Sequence, residues 1–152
     1  KFINSIPSKY HSDILNWYYK KIHSNVKSKS LKASASWNEY ESSCSTLKYV
    51  ERKNSGLESL AIAKIETHYF VNNCFIEDNF IINNIKKIIH IPAFIVQGRH
   101  DVICPPNTAM KLFYGLKNAR IDIVEDAGHS AFETSIFKKI VKSLDEIYKM
   151  MS

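Results

Sequence analysis

Two short apolar runs in the second half of the chain restrict the possible folds more than any other feature. AFIVQ at 93–97 and RIDIVE at 120–125 are typical of strands in a parallel sheet, and the helical pattern of 107–116 separates them. This order predicts a right-handed crossover between two parallel strands. Two strands are too few for a stable α/β layer, so we expect them to pair with strands outside this sequence or to associate with another copy.

The first half of the chain has helical rather than strand-like patterning. Apolar residues recur at helical spacing in three segments, with a break at Asn54–Gly56: 7–23, 35–48 and 57–72. In the second half, Asp78 could cap a helix that ends before Pro92, and 133–150 is a closing amphipathic helix. We therefore predict an α/β class fold with an all-helical domain at 1–80 followed by a two-stranded parallel unit with helices at 81–152.

Composition excludes several kinds of protein. The net charge of +6 comes mostly from scattered lysines, with only three arginines, which indicates a solvated surface rather than a nucleic-acid site. No apolar run reaches the roughly 18 residues that a membrane span requires, so we expect no membrane association. Three widely spaced cysteines favour reduced thiols, and with no apolar leader at the start we expect a cytoplasmic protein. Neither Cys-x-x-Cys nor His-Glu-x-x-His occurs, so we expect no metal.

An Asp and a His follow the two predicted strands at matching positions. Asp101 and His129 each come four residues after their strand, and Gly98 and Gly128 would allow the chain to turn there. Because the carboxyl ends of parallel strands share one edge, we expect the two side chains to meet. In a nucleophilic triad, the carboxylate of such a pair orients the imidazole base and stabilises its charged form. The alternative is that Asp101 caps the next turn and His129 is an ordinary loop residue.

Several separated motifs resemble one family. GRHDVICPP (98–106), VEDAGHSAFE (124–133), LAIAKIETHYF (60–70) and SWNEYESSCSTL (36–47) are similar, in this order, to segments of the proline iminopeptidases, which belong to the α/β-hydrolase superfamily. The resemblance covers nearly the whole chain. Tyr40 stands where the family pattern has a second Trp. The resemblance implies the C-terminal part of an α/β-hydrolase preceded by a helical cap.

The resemblance also implies roles for individual residues. Asp101 would be the triad acid and His129 the triad base, whereas Glu41 and Glu66 in the cap would bind the free amino terminus of a peptide that begins with proline. Phe70 would form part of the wall against the prolyl ring. No cofactor is implied. The alternative for the two Glu residues is an exposed position on a helix, which is usual for Glu.

The nucleophile of such an enzyme is missing from these residues. None of the four glycines forms a Gly-x-Ser-x-Gly elbow, and no His-Gly-Gly oxyanion loop occurs. We therefore expect that the missing N-terminal half of the same protein carries the Ser, and that this chain alone is inactive. Two alternatives remain at this point: another capped α/β-hydrolase, such as an esterase or epoxide hydrolase, and a non-catalytic interaction domain.

Overall fold

The computed structural model describes residues 2–49 and 56–151, which divide into two compact units. The first unit takes in Lys1–Ser43 and Glu51–Glu77, and the second Cys44–Val50 and Asp78–Ser152, as far as their residues are described. Residues 44–49 thus belong with the second unit although they precede residue 80. The domain assignment of 1–80 and 81–152 stays a prediction.

The first unit is built from three helices with short 3-10 turns before and after them. The helices are α1 (Ile14–Ile22), α2 (Lys27–Ser45, whose last two residues belong to the second unit) and α3 (Leu57–Val71). Tyr18 and Ile22 of α1 are almost completely buried, and they pack with Ala33 of α2 and Ala63 of α3. Truncating Ile22 to Ala in this core is expected to cost about 2–5 kcal/mol.

Two helix boundaries in this unit differ from the sequence prediction. The segment predicted as one helix at 7–23 contains a 3-10 turn at Ser8–Tyr10, and α1 begins only at Ile14 because Asp13 has a non-helical φ of −144°. Helix α2 begins at Lys27, eight residues before the predicted start. Its polar first turns tolerate burial because the Ser30 and Ser34 hydroxyls donate to backbone carbonyls one turn back. Of the predicted break, Asn54 and Ser55 lie outside the described residues.

The second unit has the predicted strand–helix–strand–helix order. Strands β1 (Ala93–Gly98) and β2 (Ala119–Val124) pair in parallel, with Ala93 opposite Ala119 and Gly98 opposite Val124. Helix α5 (Pro106–Gly115) connects them, and α6 (Thr134–Met151) closes the unit. Val124 and Ile136 of α6 form the centre of its core with Ala127. Both strands are mostly half-buried, rather than fully buried as a central parallel strand would be.

The helix predicted after Asp78 is interrupted. Helix α4 covers only Phe80–Asn83, and a 3-10 turn at Ile85–Lys87 follows it. The Asn84 side chain donates to the Phe80 carbonyl, and such side-chain bonds compete with a continuing helix. Asn79, not Asp78, is the residue before the helix, in the left-handed conformation that Asn tolerates. Within residues 2–49 and 56–151, no helix is both long and apolar enough to cross a membrane.

Candidate active site

The end of β1 and the loop after β2 come together at Gly98. A Cβ atom at this position would lie 1.9 Å from the Gly128 carbonyl oxygen, so only glycine fits. The backbone N–H groups of Arg99 and His100 continue the pairing beyond the end of β1 by donating to the carbonyl oxygens of Val124 and Ala127. Neither Gly98 nor Gly128 has a positive φ, so the glycine at 98 is required by close approach rather than by a sharp turn.

This close approach brings the predicted Asp–His pair into contact. Asp101 Oδ2 lies 2.9 Å from His129 Nδ1, which confirms the expectation that the two side chains meet at one edge of the sheet. The Asp101 side chain is 6% exposed and the His129 side chain 38% exposed. A buried carboxylate therefore lies beneath an imidazole that solvent or a substrate can reach.

The two oxygens of Asp101 have different partners. Oδ1 accepts the backbone N–H groups of Ile103 and Cys104 at 2.9 and 2.8 Å, whereas Oδ2 faces His129 and the amide of Gln97, at 3.3 Å. Capping of the following turn and contact with the His are therefore compatible, because each uses one oxygen. The alternative role for Asp101, capping of the next turn, accounts for the contacts of Oδ1 but not for those of Oδ2.

These contacts keep Asp101 ionised. Burial by itself would raise the pKa of Asp101, but the hydrogen bonds from Cys104 and His129, with the charge of His129 and the N–H of Ile103, outweigh it and lower the pKa. An ionised carboxylate can only accept hydrogen bonds, so the hydrogen between the two groups belongs to His129 Nδ1. In the neutral imidazole this leaves the lone pair on Nε2, which is the tautomer that a general base requires.

Gln97 is a member of this site that our sequence analysis did not single out. It is buried at the end of β1, and its Nε2 donates to the carbonyl oxygens of Gly98 and Cys104 as well as to Asp101. The available signal was a polar residue at the end of the apolar run AFIVQ, where a fifth core residue would be expected. Gln97 ties the Asp101 loop to the strand from which it leaves.

Cys104 lies three residues after Asp101 and is a potential nucleophile, but its environment does not activate it. Burial raises the pKa of the Cys104 thiol, and the negative charge of Asp101 raises it further. The thiolate is therefore disfavoured at neutral pH. All three cysteines are free. Among the residues that the structure describes, no three or more His, Cys, Asp or Glu side chains form a group that could hold a metal ion.

A second carboxylate cluster lies in the first unit, around Trp37. The indole Nε1 of Trp37 on α2 donates to Glu66 Oε2 on α3 at 2.9 Å. Phe70 follows Glu66 by one helical turn, and its ring centroid is 6.2 Å from that of Trp37. Glu41 follows Trp37 by one turn on α2 and is half-buried, and residues at this spacing share a helix face. Trp37 is thus a residue of this cluster to which our sequence analysis gave no role.

The predicted site residues are divided between the two units. Glu41, Glu66 and Phe70 lie in the first, and Asp101 and His129 lie in the second. Glu66 is half-buried, which differs from the exposed position that most Glu residues occupy, and Phe70 is 48% exposed. The catalytic and substrate-binding roles of these residues stay predictions.

Known proteins with similar sequences carry one name. A probable proline iminopeptidase from Leptolyngbya boryana is 34% identical over 149 residues, which is 95% of this chain and 46% of the relative. Proline iminopeptidases from Arabidopsis thaliana and Xanthomonas citri are 35% and 33% identical, and the match covers 38% and 48% of their lengths. This chain is a relative of the proline iminopeptidases. No protein-family model matches it.

The relationship to proline iminopeptidases confirms the predicted family and fold class. These relatives are α/β-hydrolases, and the parallel strands β1 and β2 with their helices are an α/β arrangement. The chain spans about half the length of the curated relatives that it matches, as we expect of a C-terminal portion. It is therefore a portion similar to a prolyl aminopeptidase.

Proposed function

We propose that this chain carries the acid and the base of a serine exopeptidase that releases N-terminal proline from peptides. The observation that supports this most directly is the 2.9 Å contact between Asp101 Oδ2 and His129 Nδ1 at the carboxyl ends of two parallel strands. In this arrangement Nε2 of His129 removes the proton of a serine hydroxyl, and the hydroxyl oxygen attacks the carbonyl carbon of the prolyl residue. Asp101 holds the imidazole in the required tautomer and stabilises its charged form.

The cap carboxylates would supply the specificity for an amino terminus. A free prolyl nitrogen is charged at neutral pH, and desolvating it is costly unless anionic acceptors receive it. Glu66, already oriented by the indole of Trp37, and Glu41, one turn beyond Trp37 on α2, are the acceptors that we assign to this task. Phe70 beside Trp37 would pack against the apolar prolyl ring. The reaction that we propose requires no cofactor.

The serine would come from a segment outside these 152 residues. No Gly-x-Ser-x-Gly elbow occurs in the sequence, and the chain matches about half of its relatives' length. We infer that the complete protein has an N-terminal half with this elbow, and that the present chain alone does not hydrolyse peptides. The expected partners are that half and a peptide with an N-terminal proline. For the complete protein we propose a cytoplasmic location and neither nucleic-acid nor membrane binding.

Two measurements test the proposal. Sequencing the coding region upstream of Lys1 should reveal a Gly-x-Ser-x-Gly motif, and its absence would contradict the proposal. The extended protein should then release the chromophore from a prolyl chromogenic amide at an ordinary enzymatic rate, whereas the 152-residue chain should give only background. Turnover that is proportional to the concentration of the short chain would show that the nucleophile lies within it.

One observation favours a second candidate, another type of capped α/β-hydrolase such as an esterase. Glu66 already has a hydrogen-bond donor in Trp37, so its position can be explained without an amino group of a substrate. This candidate predicts that the extended protein cleaves simple acyl esters faster than prolyl amides. It also predicts that Glu41→Gln and Glu66→Gln leave the ester kinetics unchanged. A stand-alone interaction domain would instead show no hydrolysis in the extended protein.

A further inference from the structure

The loop that carries His129 is held by the end of helix α2. The backbone N–H groups of His129 and Ser130 both donate to the Ser45 carbonyl oxygen, at 2.9 and 2.7 Å. Ser45 is the last residue of α2, where carbonyl groups lack partners within the helix. The loop therefore meets a ready acceptor at the position of the imidazole-bearing residue.

A carboxylate holds the same two segments from the other side. Glu133 Oε1 accepts the backbone N–H of Gly128 at 2.6 Å, and Oε2 accepts the backbone N–H of Leu47 at 3.1 Å. The two donors lie one residue before His129 and two residues after Ser45. Hydrogen bonds to an ionised acceptor are roughly twice as strong as neutral ones. One side chain thus bridges the His129 loop and the segment after α2.

Glu133 is itself fixed at the start of helix α6. Its backbone N–H donates to the Ser130 carbonyl, and its own carbonyl accepts the Phe137 N–H in the first turn of α6. A negative charge at a helix amino terminus is stabilised by the helix dipole. A residue that only capped α6 would direct its carboxylate at N–H groups of that helix. Both oxygens of Glu133 instead accept N–H groups from outside α6, so Glu133 does more than support the start of that helix.

The space around Gly128 leaves this arrangement little freedom. A Cβ at residue 128 would lie 3.1 Å from Leu47 N and 3.3 Å from both Glu133 Oε1 and the Ser45 carbonyl oxygen. These are two of the three acceptor atoms and one of the donors of the hydrogen bonds described above. Any side chain at 128 would therefore push against all of them.

We infer that Glu133 is a positioning residue for His129, acting by bridging the N–H groups of Gly128 and Leu47. This inference rests on the proposed function, since His129 is the base of that reaction. Glu133 makes no contact with the imidazole in the hydrogen bonds described, so it acts through the loop backbone. A displacement of a catalytic group by about 1 Å can lower a rate by roughly a hundredfold. Loss of the bridge should therefore disorder the Asp101–His129 pair while leaving the rest of the fold in place.

The test is nuclear magnetic resonance of the 152-residue chain with 15N-labelled histidine, with His129 assigned from the His129→Gln spectrum. The wild-type chain should show a single His129 signal with the hydrogen on Nδ1. Glu133→Gln retains the shape, but its amide can accept only one of the two N–H groups. We expect a lower fraction of the Nδ1–H form and exchange broadening confined to His129. The matched control is Glu146→Gln, which lies within α6 and pairs with Arg120, and it should leave the His129 signal unchanged.

The outcomes separate the two proposals. A wild-type chain whose His129 lacks the Nδ1–H form contradicts the catalytic pair and with it the proposed function. A normal wild-type signal that Glu133→Gln leaves unchanged overturns only the positioning role.

Should Glu133→Gln fail to fold, Gly128→Ala gives a second test, because it displaces the same atoms with the carboxylate intact and should produce the same change. Hydrogen exchange on the folded wild type needs no variant. Rapid exchange of the Leu47 and Gly128 amides would mean that the bridge does not form.

Discussion

Each unit of this chain has a carboxylate that accepts a hydrogen bond from an aromatic ring nitrogen at 2.9 Å. In the second unit Asp101 accepts a hydrogen bond from His129 Nδ1, and in the first Glu66 accepts one from Trp37 Nε1. The two contacts have the same length, but the two rings differ in whether they can take part in proton transfer. An imidazole retains a second nitrogen that can exchange a proton, whereas an indole has only its single donor. Asp101 can therefore change the reactivity of its partner, and Glu66 can only be oriented by its partner.

The two carboxylates also differ in how firmly they are fixed. Asp101 lies in a loop and receives two backbone N–H groups and the Gln97 amide in addition to His129. Glu66 lies on α3, is half-buried, and has Trp37 as its hydrogen-bond partner within residues 2–49 and 56–151. The difference matches the proposed tasks. A triad acid must keep one geometry through the reaction, whereas a substrate-binding carboxylate must keep an oxygen available for a ligand.

Replacing Asp101 by Asn should have the largest effect. The Asn amide can donate as well as accept, so His129 no longer needs its hydrogen on Nδ1 and the wrong tautomer becomes populated. Loss of a triad acid in this way lowers kcat by about 10⁴-fold in a serine protease, and we expect a similar loss in the extended protein with a prolyl chromogenic amide. The control is Asp126→Asn, whose carboxylate bonds to the Ser135 hydroxyl on the surface. A decrease of less than about tenfold for Asp101→Asn would mean that this pair is structural.

Replacing Glu66 by Gln should affect binding rather than the chemical step. Gln can still accept the Trp37 hydrogen bond, so the orientation of the residue is retained while its charge is lost. Hydrogen bonds to charged groups contribute about 1.5–3 kcal/mol, which corresponds to roughly a 10- to 100-fold decrease in kcat/KM for a substrate with a free prolyl nitrogen. Most of the decrease should come from KM.

Two controls sharpen this second prediction. Glu58→Gln makes the same change in the exposed first turn of α3 and should leave the kinetics unaltered. A substrate with an acetylated prolyl nitrogen carries no charge, so its slow cleavage should not respond to Glu66→Gln. Equal losses for the free and acetylated substrates would exclude recognition of the amino terminus by Glu66 and favour the second type of hydrolase.

The Asp101–His129 contact could be predicted from the sequence because it depends on local order and on strand direction. Both residues follow an apolar strand at the same offset, and parallel strands end at one edge of their sheet. The contact between Trp37 and Glu66 could not be predicted in this way. The two residues are 29 positions apart on separate helices, and their distance depends on how α2 packs against α3. Gln97 was missed for a related reason, since its partners become visible only when the Asp101 loop has folded back.

Helix boundaries were the least predictable part of the fold. Hydrophobic spacing correctly indicated that the segments 7–23 and 78–90 contain helical turns, but it did not locate the interruptions. At Asp13 a non-helical backbone separates a 3-10 turn from α1, and at Asn84 a side-chain bond to the Phe80 carbonyl accompanies the end of α4. Neither the non-helical backbone at Asp13 nor the side chain-to-backbone bond of Asn84 can be read from the apolar pattern.

Replacing Trp37 by Phe removes the hydrogen-bond donor of Glu66 and so tests how much that bond contributes. Phe keeps a ring in the aromatic cluster but removes the N–H group, so Glu66 Oε2 loses its donor. Since the site is only half-buried, we expect the free energy of unfolding of the chain to decrease by about 1–2 kcal/mol in urea denaturation. The control is Trp17→Phe, because Trp17 packs edge-on against Tyr18 in the same unit. Equal losses in the two variants would show that the effect is lost ring volume, so that the hydrogen bond to Glu66 contributes little.

The smallest expected effect is the acid dependence of stability that Asp101 contributes. Burial opposes its charge, but the bonds from Cys104, His129 and Ile103 lower its pKa below the unfolded value of about 3.9. A carboxyl whose folded pKa is lowered stabilises the fold above the unfolded pKa, and this contribution is lost as the pH falls through the lower, folded pKa. The wild-type chain should therefore exceed Asp101→Asn in urea midpoint near pH 5, and the difference should shrink steadily below about pH 4. Because other carboxylates titrate in both chains, only this difference reports on Asp101. A difference that stays constant down to about pH 2.5 would mean that the charge of Asp101 is not what its neighbours stabilise.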